Sequence, residues 1–267
     1  MNASRRTTFG PWLIAGMAAV LLSACEASGN SSADAGAMSE PAAEPERSLP
    51  PEPVETTESH GSGQDSVVRE ASTDPSSIYV LVNPLNPVQP KDHRPEDLVD
   101  ASVETLPSRV LVRGEVDEAM QEMFGAAAEA GLELELASGY RGFDSQQSLY
   151  EQRVEGYGVE EADAYVARPG HSEHQTGLAI DIQARDSPHC DSIRCFGETP
   201  HGEWTAENAS DFGFIVRYPH GAEAITGYSP EPWHLRYIGR PTAQAVSDAG
   251  VTLEEFWGEP PAPDYAD

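Results

Sequence analysis

Beyond residue 110 the apolar positions follow two distinct periods, one helical and one extended. Residues 115–130 place apolar side chains on one stripe with acidic residues mostly elsewhere, which predicts an amphipathic helix packed against a core. That stripe consists of Val116, Met120, Met123 and Phe124. The next apolar residues alternate with glutamates, and this period of two predicts a strand with one buried face. They are Leu132, Leu134 and Leu136.

The same alternation returns around Asp181. Leu178, Ile180 and Ile182 share one face of a predicted strand, so Asp181 projects from the opposite face. Strands with helices alongside them indicate an α+β fold in which helices flank an antiparallel sheet. Apolar runs and helical spacing predict further strands at 78–82, 214–218 and 233–238, and helices at 144–154, 242–249 and 253–257.

Composition divides the 267 residues into four segments. Residues 1–25 combine arginines, an apolar run and small residues, as a signal peptide does. Residues 26–76 are rich in Ser, Ala, Glu and Pro, which predicts a disordered linker. Residues 77–258 are then expected to form a single domain, and residues 259–267 a disordered tail. Cys25 ends the apolar run and resembles the lipid-bearing cysteine of a bacterial lipoprotein; an ordinary signal peptide with an incidental cysteine is the alternative.

The chain is strongly acidic, with 45 Asp and Glu residues against 16 Lys and Arg and a formal net charge of −29. We therefore expect no nucleic-acid partner, since that binding depends on a basic patch. Cys190 and Cys195 are the only cysteines besides Cys25. Two cysteines five positions apart in a loop of an exported protein predict a local disulfide, with zinc ligation as the alternative.

Two short segments contain the residue types of a catalytic zinc site, which needs three protein ligands, an open position for water and a nearby general base. His174 lies in a predicted loop, and Asp181 lies on the strand that follows it. His234 comes from a separate strand, with Glu231 three residues before it. His171 is a rival ligand, but it is disfavoured because Asp181 supplies the third ligand.

These segments resemble the VanY-type zinc D-alanyl-D-alanine carboxypeptidases, and the resemblance extends over about residues 80–257. It implies one Zn²⁺ per chain and the D-Ala-D-Ala metallopeptidase, or hedgehog-like, zinc fold. The motifs that carry it are Ser138-Gly139-Tyr140-Arg141 followed by Gln146, Ser172-x-His174-x-x-Gly177-x-Ala179-x-Asp181, Phe214 to Pro219, Ile225 to Tyr228, and Glu231-x-x-His234.

The resemblance also implies a role for each site residue. For Arg141, which would face the reacting carbonyl, a structural salt bridge is the alternative role. The implied roles are zinc ligation by His174, Asp181 and His234, catalysis by Glu231 as the base and by Arg141, and substrate binding by Ser172 and Gln146.

The implied activity is zinc-dependent removal of the C-terminal D-alanine from peptidoglycan stem peptides. An L,D-carboxypeptidase or a D,D-dipeptidase with the same site is the first alternative, and a non-catalytic zinc-bearing wall-binding module is the second. We expect a monomeric bacterial lipoprotein that acts outside the cytoplasm, anchored in the cell envelope through a lipid at Cys25.

Overall fold

The structure is a computed structural model, and it describes residues 66–187, 190 and 192–266. The predicted signal peptide, Cys25 and most of the predicted linker lie outside the described residues. Within the part described, no helix is both long enough and apolar enough to cross a bilayer.

Helices and short strands follow one another along the described chain. The strands are β1 (Leu98–Asp100), β2 (Leu111–Arg113), β3 (Leu134–Ser138), β4 (Ala179–Ala184), β5 (Phe214–Tyr218) and β6 (Glu231–Tyr237). The helices are α1 (Gly114–Glu129), α2 (Phe143–Tyr157), α3 (Val159–Tyr165), α4 (Pro200–Asn208), α5 (Glu223–Thr226), α6 (Arg240–Ala249) and α7 (Leu253–Trp257). Short 3₁₀ turns lie at Glu173–Thr176, Ile193–Glu198 and Ala209–Phe212.

Four of the strands form one sheet in the order β3-β4-β6-β5, and every neighbouring pair in it is antiparallel. β1 and β2 pair separately as a two-stranded antiparallel ribbon. The predicted α+β fold with an antiparallel sheet and flanking helices is confirmed. β4 and β6 are the two central strands, so side chains on them are supported by a neighbouring strand on each side.

The apolar stripe of α1 and one face of the sheet form the main core. Met120 and Met123 of α1 are fully buried, as are Ile180 and Ile182 of β4 and Leu235 of β6. Because successive strand residues point to opposite faces, the residues beside these apolar positions project to the other side of the sheet. That other side of β4 and β6 carries Asp181 and His234.

The segment 78–82 is buried but belongs to neither sheet of the described residues, so the strand prediction there is wrong. Val80 makes only an isolated bridge, with Ser72. The guanidinium of Arg236 donates hydrogen bonds to the carbonyl oxygens of Ile78 and Val80, at 3.0 and 2.6 Å. Buried carbonyls need a hydrogen-bond donor, and here a side chain takes the place of a neighbouring strand.

Ordered contacts extend past both expected limits of the domain. The backbone of Val68 bonds to the side chains of Thr242 on α6 and Trp257 on α7, so packing begins before residue 77. Where we predicted a disordered tail, Ala262 is fully buried and donates its N–H to the Ile225 carbonyl at 2.8 Å. These contacts join residues far apart in sequence, and the composition of either segment does not reveal them.

Candidate active site

Three side chains suited to metal binding converge on the central strands. Asp181 of β4 and His234 of β6 are direct cross-strand partners, and His174 lies in the 3₁₀ turn that precedes β4. Asp181 Oδ1 is 3.0 Å from His234 Nδ1, and its Oδ2 is 3.2 Å from His174 Nε2. One potential ligand atom from each residue lies within 4.8 Å of the others. The three residues expected as ligands are therefore adjacent in the fold.

A tight turn carries His174 to this position. Gly177 ends the turn with a φ of +68°, a left-handed conformation that glycine adopts most readily. A Cβ at this position would lie 3.0 Å from side-chain atoms of both β1 and β2. On the other side, His174 Nδ1 faces the Gly139 carbonyl at 2.8 Å, and the His174 carbonyl accepts a 3.0 Å bond from the Arg141 N–H. The backbone thus orients the imidazole.

The charges around the cluster favour a bound cation. Burial would raise the pKa of Asp181, but the two neighbouring histidines outweigh it and hold that pKa well below its usual range. Burial would lower the pKa of His234, yet hydrogen bonds to Asp181 and Glu173 raise it to about 9. The carboxylate of Asp181, which stays ionised between two imidazoles, supplies negative charge that a divalent cation would neutralise. Two imidazoles and a carboxylate are donors that zinc prefers.

Glu231 lies beside this cluster at the first position of β6. Its Oε2 is 3.9 Å from His234 Nδ1, and its backbone pairs with Tyr218 of β5. Burial, reinforced by the negative charge of Asp181, raises the pKa of Glu231 to about 7. A carboxyl group with this pKa takes up and releases a proton at neutral pH, as a general base does.

A cavity of about 200 Å³ opens over the cluster, and Arg141, Ser172 and Glu231 line it with the three potential ligands. Burial lowers the pKa of Arg141, while Asp181 and Glu231 act against that shift, and an arginine stays protonated in proteins. Among the described residues, Arg141 has no carboxylate within 4 Å. Its guanidinium is therefore free of a close ion pair and can stabilise negative charge that develops in the cavity.

Gln146 does not line the cavity, although we expected it to contact substrate. It is fully buried on α2, where its Oε1 accepts a 2.6 Å hydrogen bond from Arg141 Nε. Its amide nitrogen donates to the Ala167 carbonyl, also at 2.6 Å. Both ends of the amide are thus engaged inside the protein, and Gln146 lies behind Arg141.

Sequence reasoning missed the aromatic part of the cavity wall. The ring of Tyr218 lies 4.9 Å from that of His234, measured between centroids. Tyr218 ends the strand predicted at 214–218, but its pairing with Glu231 on β6 appears only in the structure. His171 lies outside the ligand cluster and instead places Nδ1 3.0 Å from the Asn83 carbonyl. The aromatic residues of the wall are Tyr165, Tyr218, Tyr228 and Trp233.

Cys190 and Cys195 form the predicted disulfide, with sulfur atoms 2.15 Å apart. The bridge lies in the segment between β4 and α4. The Cys190–Cys195 pair is therefore not a zinc site, and the one cluster of possible metal ligands found among the described residues is that of His174, Asp181 and His234.

Comparison with known proteins identifies relatives of this chain. Residues 109–240 match the model of the family VanY, D-alanyl-D-alanine carboxypeptidase. The chain is 41% identical over 192 residues to the putative carboxypeptidase YodJ of Bacillus subtilis, a match that covers 70% of each protein. All of the residues that line the cavity lie within the matched region.

Two solved structures share the fold. The LdcB LD-carboxypeptidase, described in connection with peptidoglycan recognition, superposes with a TM-score of 0.65 and 42% identity, over 69% of this chain and 87% of that one. A mutant of the vancomycin resistance D,D-pentapeptidase VanY from a VanB-type cassette, in complex with Zn(II), superposes with a TM-score of 0.56 and 33% identity, over 69% of this chain and 99% of that one.

Proposed function

The chain belongs to the VanY D-alanyl-D-alanine carboxypeptidase family, and on that basis we propose that it is a zinc-dependent carboxypeptidase that removes the C-terminal D-alanine from peptidoglycan stem peptides. The observation that carries the proposal is the convergence of three ligands and a base in one cavity. His174, Asp181 and His234 hold the metal, and Glu231 lies next to them at 3.9 Å from His234 Nδ1.

The chemistry divides between the metal and the side chains. When bound, zinc supplies a Lewis acid that lowers the pKa of a water molecule from 15.7 to roughly 7. Glu231 Oε2 takes a proton from the attacking water and later delivers it to the amine of the departing D-alanine. The same carboxyl must first accept and then release the proton, and burial beside Asp181 raises its pKa toward neutral pH in the metal-free site.

Arg141 provides the second catalytic contribution. Its guanidinium faces the cavity from the β3–α2 connection and stabilises the negative charge that develops on the carbonyl oxygen of the scissile bond. Ser172 lines the same cavity and offers a hydroxyl to the substrate, while Gln146 holds Arg141 in place through the 2.6 Å bond to its Nε. Gln146 is therefore assigned as a positioning residue.

The place of action is part of the proposal. Peptidoglycan stem peptides lie outside the cytoplasm, and the signal-like residues 1–25 and the disulfide both favour export. Lipid attachment at Cys25 would anchor a monomeric enzyme to the membrane through the segment that follows it. Metabolic labelling with a radioactive fatty acid tests this: label should enter the wild-type chain and be absent from Cys25→Ala, and an unlabelled wild type contradicts the anchor.

The activity is tested with the purified zinc-loaded chain and three substrates: a stem pentapeptide, a stem tetrapeptide and free D-Ala-D-Ala. The proposal expects D-alanine release from the pentapeptide that stops when a chelator removes the metal and returns when zinc is restored. Preferred cleavage of the tetrapeptide would favour the L,D alternative, and preferred cleavage of the free dipeptide would favour a dipeptidase. Binding of peptide without hydrolysis would indicate a recognition module and overturn the proposal.

A further inference from the structure

The two ligand histidines are held by different kinds of partner on the side away from Asp181. His174 Nδ1 faces a backbone carbonyl, that of Gly139. His234 Nε2 faces a carboxylate oxygen, Oε2 of Glu173, at 3.4 Å. Glu173 is the residue directly before His174 in sequence, yet its side chain contacts the other histidine, 61 positions further along the chain. Both ring nitrogens of His234 therefore have a partner, which holds the imidazole in one orientation.

Glu173 is itself fixed by two arginines. Its Oε1 accepts a 2.9 Å bond from Arg217 Nε and a 2.8 Å bond from Arg236 Nη1. Arg217 also forms a bidentate pair with Glu254 of α7, with N–O distances of 2.6 and 2.9 Å. We refer to Glu173, Arg217, Arg236 and Glu254 as the buried ion cluster, since all four side chains have no exposed surface.

The balance of charge in this cluster explains how a carboxylate can stay ionised there. Two guanidinium groups and two carboxylates give no net charge, and each Glu173 oxygen has a hydrogen-bonding neighbour. An unpaired charge at this depth would be strongly disfavoured. The arginines satisfy Oε1, which leaves Oε2 directed at His234.

We propose that Glu173 is a positioning residue for the metal ligand His234. Its carboxylate accepts the Nε2–H of His234, which fixes the imidazole tautomer so that Nδ1 keeps its lone pair on the side of Asp181. The inference rests on the proposed function only in taking His234 as a metal ligand. Arg217 and Arg236 act through Glu173 by preventing the carboxylate from rotating away.

Two variants test the proposal, and each shortens one carboxylate side chain of the buried ion cluster by one methylene group. Glu173→Asp keeps the charge but withdraws the carboxylate from His234, whereas Glu254→Asp makes an equal change at the far end, which does not contact a ligand. Zinc affinity is measured on the purified full chain by competition with a chromogenic chelator, and thermal unfolding is followed on the metal-free forms.

Glu173→Asp should weaken zinc binding by roughly 10–100-fold, as loss of a ligand's hydrogen-bond partner does. Glu254→Asp should leave zinc affinity within about twofold of the wild type, although it also lowers the thermal midpoint of the metal-free chain. Equal zinc affinities in the two variants would assign the cluster to stability alone and overturn the proposal. The absorption spectrum of the cobalt-loaded protein should change in Glu173→Asp only.

A measurement on the wild type covers the case in which Glu173→Asp does not fold. In the zinc-loaded chain labelled with ¹⁵N-histidine, the Nε2–H of His234 should give a proton resonance shifted downfield, because it donates to the Glu173 carboxylate. An Nε2–H resonance at the position of an imidazole without a hydrogen-bond acceptor contradicts the proposal. Both readouts are independent of peptide cleavage, so the absence of carboxypeptidase activity would not affect them.

Discussion

Arg141 Nε donates a 2.6 Å hydrogen bond to Oε1 of the fully buried Gln146. The amide group of Gln146 is held in turn by the carbonyl of Ala167, so its orientation is fixed from both ends. A guanidinium has five N–H groups, and engaging Nε from behind leaves the terminal nitrogens directed forward into the cavity. The direction of the Arg141 guanidinium therefore depends on the buried amide of Gln146.

We expect Gln146→Leu to lower kcat while changing KM little, because Leu removes the hydrogen bond but keeps a similar volume in a buried site. Arg141→Ala should lower kcat by about 10²–10³-fold. In a double-mutant cycle, Gln146→Leu should cause no further loss once Arg141 is Ala, with a coupling free energy of roughly 0.5–3 kcal/mol. Additive losses, together with a raised KM for Gln146→Leu, would instead indicate direct contact with substrate.

Glu231→Gln should reduce kcat by roughly 10²–10⁴-fold, since the amide cannot take a proton from water. Zinc content should stay at one ion per chain, because the three expected ligands are unchanged. The matched control is Glu223→Gln, which removes an exposed carboxylate on α5. Turnover near the wild-type rate in Glu231→Gln would remove Glu231 from the mechanism; loss of zinc in that variant would make it a ligand.

The buried ion cluster predicts how stability depends on acid. Burial raises the pKa of Glu254, but the charge and hydrogen bonds of Arg217 outweigh it, so the pKa lies below its unfolded value of 4.5. A depressed pKa contributes stability that is present above about pH 4.5 and lost as the pH falls through the folded value. In urea titrations from pH 7 to pH 3, the wild-type midpoint should therefore fall once the pH drops below about 4.5.

In Glu254→Gln the urea midpoint should decline less with falling pH than it does in the wild type. At pH 7 the substitution should cost about 3–5 kcal/mol, because it leaves Arg217 with one fewer buried partner. The exposed Glu223→Gln should keep both the wild-type stability and its pH dependence. An unchanged slope below pH 4.5 in Glu254→Gln would show that other carboxylates determine the acid transition.

Two glycines with the same φ allow the cost of backbone strain to be measured separately from the cost of close packing. Gly221 and Gly227 both have φ of +83°, so alanine at either costs roughly 1–2 kcal/mol. A Cβ on Gly221 meets nothing within 4 Å, whereas one on Gly227 would lie 2.4 Å from the carbonyl oxygen of Ala262. Gly227→Ala should therefore lower the thermal midpoint further than Gly221→Ala. Equal midpoints would mean that Ala262 and Pro84 move away from the added methyl group at no cost in stability.

Local patterns were sufficient for most elements. The α1 stripe, the alternation before and after Asp181, and α7 appear where their sequence period placed them, because those periods reflect burial on a single face. The strand predicted at 78–82 was wrong because hydrogen bonding there depends on a residue distant in sequence. Its apolar residues are buried as expected, but Arg236, more than 150 positions away in sequence, bonds the carbonyls that a strand partner would have taken.

The site, too, was predicted only in part from the sequence. The three expected ligands and Glu231 were recognisable from their spacing within two short motifs, and Arg141 was recognisable from the family resemblance, whereas the aromatic wall was not. The supporting contacts were not, since Glu173 touches His234 and Gln146 touches Arg141 only after the strands and α2 have packed. Spacing also could not show that Ala262, near the end of the chain, bonds to Ile225 of α5.

The pairing of Asp181 directly opposite His234 has a consequence for how the protein matures. A slip of one position between the two central strands turns one of these side chains into the apolar core, because strand residues alternate between faces. A mispaired chain then lacks one of three donors. A slip of this register should therefore weaken metal binding, because the three donors would no longer converge.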